Sequence, residues 1–454
     1  MLIMEDALPS HKSFFHAAPT TRFVRSMVIR FMISILVRHG RNSCMNAACV
    51  LLHQPLHRAQ PARFLKRHRQ AVADLLSFVV LRLLQRPTWQ GKYLLLVDST
   101  IVAMQGDSAQ NSYSTGNRQR RPAKNRRYSK YKYAARSCHC FVFGLLLTPE
   151  GLRIPICRPY YTRAYAKSRK KKFHTQAQLA AEIIDTLAVP PGVDLTVLGD
   201  TAFDAKIVRQ SCRQRGYSWI VPVNANRVLA GRRGKRPRVS SRISQLSESC
   251  FQTIRIHPSS GSYVHTRRLS EHRDHSRKNQ RTYSVCSQRC EVHSVGAVML
   301  VFSSTKPIKG KAKRQTTKVL MTNATKLSKQ QVVELYGLRW QIELFFKELK
   351  STLGMHQYQL QDFESVESWI GIVLITFCYL EWIRQVKLSD DRLSAETHQR
   401  WQRQRSYGLR QAIVVGIEIR QHQWISRRLM SEHGRKTLAK TYTALLSHEY
   451  RCAA

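Results

Sequence analysis

The hydrophobic pattern changes character along the chain, and each change marks an element boundary. Residues 1–90 show no strand alternation, and RFLKRHRQAVADLLSFVVLRLLQR (63–86) reads as one long amphipathic helix in a helical N-terminal region. Strands begin at Lys92. KYLLLVD (92–98) is a short apolar run closed by an aspartate, CFVFGLLLTPEGLRIPI (140–156) reads as a hairpin turning at Pro149-Glu150-Gly151, and DLTVLGD (194–200) is a second apolar strand closed by an aspartate. Helical spacing occupies 175–187 and 205–216, and YSWIVPV (217–223) is a further strand. Residues 224–325 change texture: a basic, loop-like block is followed by the strand-like pieces FQTIRIH, YVHTRRL, TYSVCSQ, VGAVMLVFSS and TKVLMTN. A long helix starts near Ser328, with Asn323 or Ser328 as its cap, and the remainder is mainly helical. The pattern divides the chain at 1–90, 91–223, 224–325, 326–385 and 386–454.

The segment YGLRWQIELFFKELK (336–350) has the sharpest pattern. Leu335, Leu338, Ile342, Phe345, Phe346, Leu349 and Leu353 recur at the spacing of a buried helical stripe. On a straight helix Tyr336, Arg339, Glu343 and Lys350 then fall within roughly 60° of each other on the other side. Glu334 and Glu348 point away from that line. A single carboxylate stands among two cations and a phenol, a setting that suits a metal ion beside a phosphate.

Composition supplies the partner. Lys and Arg number 75 against 28 Asp and Glu, a net charge of +47, which implies a polyanion and by default a nucleic acid. The charge is spread along the chain rather than along one amphipathic helix, which argues against a membrane-surface protein. At 43% hydrophobic the chain is globular. Its eleven cysteines are odd in number and lack framework spacing, as in a reducing cytosol. Cys286 and Cys290 with His293 form half a zinc pattern without a second pair, and Cys138-His139-Cys140 lies in a strand; both read as ordinary thiols and histidines. No segment reads as long enough to span a bilayer. WIGIVLITFCYLEW (369–382) is short, ends in Glu381 and reads as a buried core helix, and MVIRFMISILV is interrupted by Arg30.

Asp98 and Asp200 each close an apolar strand, where α/β sheets place ligands and metals. With Glu343 they offer three hard oxygen ligands suited to Mg²⁺, and two such ions about 4 Å apart support in-line phosphoryl transfer. Each acid also has a structural reading. Asp98 or Asp200 can cap the turn that follows it, and Glu343 can pair with Lys347. It is their conjunction in a chain poor in acids that favours a site.

The spacing Y-x2-R-x3-E-x6-K at Tyr336, Arg339, Glu343 and Lys350 resembles the YREK signature of the insertion-sequence-four group of DDE transposases. LLLVDST around Asp98 and VLGDTAFD around Asp200 resemble the group's first and second catalytic aspartates, and LMTNATKLSKQQVVELYGLRWQIELFFKELKSTLG resembles its approach to the catalytic glutamate. The likeness covers roughly 92–360. It implies an α/β fold with an RNase H-like mixed-sheet catalytic core in two parts (91–223 and 326–385), a β-rich insertion (224–325), an N-terminal DNA-binding region and a helical C-terminal region. It further implies metal-dependent cleavage at transposon ends and transfer of the freed 3′-hydroxyl into target DNA. Asp98, Asp200 and Glu343 would hold Mg²⁺ or Mn²⁺, as two ions, while Tyr336, Arg339 and Lys350 contact phosphates. The partners implied are double-stranded DNA and a second copy of the chain, without a membrane, in a prokaryotic cytoplasm at the nucleoid. Some members cut the second strand through a hairpin and stack a flipped base on an insertion-domain tryptophan. Residues 224–325 contain no Trp; Phe251, Tyr263, Tyr283 and Phe302 are the candidate substitutes there, and they read better as core aromatics.

Two basic stretches carry aromatics. Residues 117–136 mix nine Lys/Arg, among them Arg126, Arg127 and Lys130, with Tyr128, Tyr131 and Tyr133; YYTRAYAKSRKKKFH (160–174) is similar. Arg227, Arg232, Arg233, Lys235 and Arg236 add phosphate-binding candidates in the β-rich segment, and Lys347 adds one beside Glu343. Two other functions fit the same residues: a transposase-derived DNA-binding protein without catalysis, and an RNase H-like nuclease acting on RNA.

Overall fold

The computed structural model describes residues 8, 10–37, 43–50, 56–57, 59–103, 109–114, 137–230, 237–256, 281–390, 394–397, 405–439 and 443. Five helices come first: α1 (His11–Phe14), α2 (Arg22–Val37), α3 (Cys44–Cys49), α4 (Ala59–Arg67) and α5 (Arg69–Leu84). The single helix expected over 63–86 is two. The backbone leaves helical geometry at His68 (φ −111°, ψ 26°). The His68 ring stacks on Phe64 at 5.1 Å, and Arg69, just past the break, reaches Glu367 at 3.2 Å. The i→i−4 bonds from His68 N to Phe64 O and from Val72 N to His68 O persist across the break, so the two helices meet at a bend rather than a loop.

The middle of the chain builds one mixed sheet. Its strands are β1 (Lys92–Ala103), β2 (Tyr113–Ser114), β3 (Ser137–Leu147), β4 (Arg153–Pro159), β5 (Asp194–Gly199), β6 (Ser218–Pro222), β7 (Gln252–Ile256), β8 (Arg281–Val292), β9 (Gly296–Ser304) and β10 (Lys318–Thr322). The order is β2-β3-β1-β5-β6-β10-β9-β8-β7, with β4 on β3. β1, β5 and β6 are parallel, and the other pairings are antiparallel. The helices α6 (Arg163–Ser168), α7 (Gln176–Thr186) and α8 (Lys206–Gln214) fall between these strands, and α9 (Val239–Gln245) precedes β7. The β-rich stretch does not stand apart from the first strands. β10 lies antiparallel to β6, so its strands extend the same sheet. YVHTRRL lies outside the described residues.

The two faces of β1 look at different partners, as strand alternation requires. Ser99 Oγ bonds Gln176 Oε1 of α7 on one face, while Asp98 meets Arg339 on the other. Packing is tight on the α7 side: a Cβ on Gly144 would come within 2.7 Å of Ile183. On the opposite side Phe143 meets Phe345 and Phe346 edge to face at 5.6 and 5.5 Å.

The last helices are α10 (Lys329–Gly337), α11 (Trp340–Lys347), α12 (Phe363–Leu388) and α13 (Ser406–Leu429). α12 is longer than its apolar core suggests. It is capped at Asp362 and runs on through Glu381 and Arg384, whose charges meet each other. Against expectation, this one helix is long and apolar enough to cross a bilayer by length and composition. However, 94% of its most apolar stretch is buried inside the protein. Phe31 of α2 and Leu65 of α4 contact it through Trp369 and Ser368. α2 carries MVIRFMISILV, buried throughout and including Arg30.

Candidate active site

Sheet register brings the two aspartates together. The parallel pairing of β1 with β5 ends at Val97↔Gly199. The next residue on each chain is Asp98 and Asp200, on strands spaced about 4.8 Å apart. Asp98 is not the last residue of its strand, as the sequence suggested. β1 continues to Ala103 because its antiparallel pairing with β3 continues to Cys138. What ends at Asp98 is the parallel neighbour, and this exposes the carboxylate at the carboxyl end of β5. Both aspartates also make the local bonds of turn caps. Asp200 accepts from Ala202 N at 2.8 Å and heads the 3₁₀ turn Thr201–Phe203, and Asp98 accepts from Ser99 N at 2.8 Å. Burial raises the Asp98 carboxyl above its usual range despite the pull of Arg339, and Asp200 and Glu343 push it the same way.

Glu343 arrives on a chain that is not one straight helix. Ser328 caps α10 through a capping box with Gln331, and Asn323 instead bonds Trp219 N and Tyr217 O. Between α10 and α11 the bonds shorten to i→i−3: Leu338 N to Leu335 O, Arg339 N to Tyr336 O, Gln341 N to Leu338 O and Ile342 N to Arg339 O. After α11 they lengthen into a π-helical turn at Glu348–Thr352. The tightened and widened stretches have opposite effects on winding, and all seven residues of the expected apolar stripe are buried. The polar set also converges. Arg339 Nη2 bonds Asp98 Oδ2 and Nη1 bonds Glu343 Oε1, each at 2.7 Å. Glu343 thus pairs with Arg339 rather than with Lys347, which is exposed. Burial, Asp200, Asp98 and Glu343 push the Tyr336 hydroxyl up to about 12, so it remains a donor at neutral pH. Lys350 Nζ donates to Ile101 O of β1 at 2.9 Å.

A family model described as Transposase DDE domain matches residues 89–379, a span that contains both aspartates, α10, α11 and the first part of the buried α12. The chain belongs to this transposase DDE family. No curated protein matches it. Among the described residues of the DDE domain and its flanks, no three His, Cys, Asp or Glu side chains gather as a ready metal site. Two of the three acids, Asp98 and Glu343, instead hold the Arg339 guanidinium.

The remaining candidates separate in the fold. Arg227 is not a free cation: Asp204 holds it at 3.1 Å and holds Arg209 as well. The aromatics of 160–174 are engaged internally. Tyr161 OH donates to Glu367 and accepts from Lys171 Nζ, which also lies 4.3 Å from the Tyr161 ring centre, while Arg163 lies over Phe173 and Arg169 over Tyr165. Phe302 is fully buried, and Phe251 and Tyr283 pack against the core. His139 is a satisfied core histidine, bonded to Tyr358 OH and Gln110 O at 2.8 Å each. Arg126, Arg127, Lys130, Tyr128, Tyr131, Tyr133, Tyr263, Arg232, Arg233, Lys235 and Arg236 lie outside the described residues.

Two features of the DDE domain escaped the sequence. Lys318 of β10 sits over the Tyr336 ring at 4.6 Å, adding a cation beside the site. Behind the site, Glu348 and Glu381 share Arg153. Glu348 accepts from Arg153 Nη1 at 2.7 Å and Nη2 at 3.1 Å and from Ser406, and Glu381 accepts from Arg153 and Arg384. The only sequence signal was negative: Glu348 points away from the reactive line, and Glu381 interrupts an apolar run.

Proposed function

We propose that the protein is an insertion-sequence transposase of the YREK-signature group that cuts DNA at element ends and joins the freed 3′-hydroxyl to target DNA. The observation that carries this reading is the register Val97↔Gly199, which sets Asp98 beside Asp200, together with the Arg339 bridge from Asp98 to Glu343. The stretch β4-β3-β1-β5-β6, antiparallel on one side of β1 and parallel on the other, supports an RNase H-like core. The donor set fits Mg²⁺ or Mn²⁺. All three acids offer hard oxygen, and the guanidinium resting between two of them marks a place that accepts positive charge. Asp98, Asp200 and Glu343 would hold the ions, which when bound supply activation of the attacking oxygen and stabilisation of the leaving one. Tyr336 offers an O–H to a phosphate oxygen, Arg339 a planar fork and Lys350 a point charge. Lys347 is exposed for the DNA backbone, and the net charge of +47 draws duplex DNA to the surface.

The test is Mg²⁺-dependent cleavage of duplexes made from the DNA that flanks the coding region. The wild type is expected to nick at a defined end, and Asp98→Asn, Asp200→Asn and Glu343→Gln to bind without cutting. Cleavage that survives Glu343→Gln would place the active site elsewhere. A wild type that binds ends and never cuts would be a DNA-binding protein only. Preferential cutting of RNA duplexes would make it a ribonuclease.

A further inference from the structure

The Arg339 guanidinium occupies the space between two of the proposed cation ligands. Each terminal nitrogen serves a different carboxylate at 2.7 Å, and the side chains of Arg339 and Asp98 are only 15% and 14% exposed. Two carboxylates held at a partly buried point need positive charge close by, and Arg339 supplies it. The arrangement leaves the arginine incompletely satisfied, because its Nε is buried without a hydrogen-bond partner. Its backbone stands in the i→i−3 stretch between α10 and α11, the kind of mid-helix tightening that marks hinges. Lys318 and Tyr336 sit alongside, so an incoming phosphate would meet donors next to the guanidinium. A phosphate matches the guanidinium fork as well as a carboxylate does.

We propose that Arg339 is an exchangeable counter-cation: it neutralises Asp98 and Glu343 until a DNA phosphate draws it away, so that cation entry is coupled to DNA binding. This rests on the acidic residues being the cation site. The two carboxylates released by the arginine then require another positive charge, and a divalent ion meets that need. Binding linkage is reciprocal, so DNA strengthens cation binding and the cation strengthens DNA binding by the same factor. The device would keep the free protein from holding a reactive ion in the absence of its substrate.

The test is the affinity for Mn²⁺, measured by calorimetry and by the electron-spin signal of free Mn²⁺, on the full chain. Arg339→Gln is expected to bind Mn²⁺ at least about tenfold more tightly than wild type when DNA is absent. A short duplex, its own Mn²⁺ uptake subtracted, should raise the wild-type affinity and leave that of Arg339→Gln nearly unchanged. Lys318→Gln removes a nearby charge that touches neither carboxylate. If it raises the affinity as much as Arg339→Gln does, the effect is general electrostatics and the exchange is refuted. Equal affinity of wild type and Arg339→Gln, with binding lost in Glu343→Gln, overturns the exchange while leaving the cation site standing. Binding that Glu343→Gln does not weaken overturns both.

Discussion

Replacing Glu348 with Gln should destabilise the protein by about 3 kcal/mol at neutral pH. Burial works against the charge of this carboxylate, but Arg153, Ser406 and Arg405 outweigh burial and hold it at about 2, against an ordinary 4.5. A difference of about 2.5 units at about 1.4 kcal/mol each corresponds to roughly 3 kcal/mol of stability. That matches the 3–5 kcal/mol typical of removing one partner from a buried ion pair, where ~3 is the low end because Gln keeps one acceptor for Arg153. Because the folded pKa lies below the unfolded one, the contribution is complete above about 4.5 and is lost as pH falls through about 2. Urea unfolding of wild type and Glu348→Gln, followed by tryptophan fluorescence from pH 7 down to pH 3, gives the comparison. The gap should be widest at neutral pH and should narrow below pH 5, with Glu334→Gln, whose partner is the neutral Gln330, within about 0.5 kcal/mol of wild type throughout. A gap under about 1 kcal/mol, or one that does not change with pH, would refute the assignment of this network as a charged, buried anchor for the π-helical turn behind Glu343.

Other outcomes follow from the same contacts. Glu343→Gln should lower end cleavage by on the order of 10³-fold or more while leaving the unfolding midpoint nearly unchanged, read by gel assay and denaturation together. Gly144→Ala should cost about 1–3 kcal/mol by overpacking against the Cγ2 methyl of Ile183 and against Leu95, read as a shift of the urea midpoint. Ser328→Ala should cost about 1 kcal/mol through loss of the capping box that starts α10, measured by the shift of the urea midpoint. Lys347→Gln should reduce the salt slope of DNA binding by roughly one, whereas Arg227→Gln, already held by Asp204, should leave it unchanged; equal slopes would contradict the division between free and engaged cations.

The sequence determined much of this protein by itself. Local spacing located β1, the β3–β4 hairpin, α7, β5, α8 and β6, because each buries a strip of apolar residues whose period belongs to one kind of element. It marked the buried stripe of 335–353, which survives in full, and it nominated Asp98, Asp200 and Glu343 for the site proposed above. The charge of +47 pointed to a polyanion without any knowledge of the fold.

Only tertiary structure decided most of the rest, where the deciding contacts join residues far apart in the chain. Whether Asp98 ends a strand depends on two neighbours, β3 continuing past it and β5 stopping beside it, and neither is visible in KYLLLVD. The expected helices over 63–86 and 336–350 each have a continuous period and are nonetheless interrupted, at His68 by a non-helical backbone angle and at Leu338–Arg339 by tightened backbone bonds. The same holds for charges. Arg227 and Arg339 look alike in sequence as basic residues near a site, but one is tied to Asp204 and the other lies between Asp98 and Glu343. Glu381 looked like the end of an apolar run and is instead buried inside a longer helix, because Arg153 from β4, 228 positions away, supplies the opposite charge. Periodicity is a property of neighbours in the chain, whereas charge compensation and strand register are properties of neighbours in space.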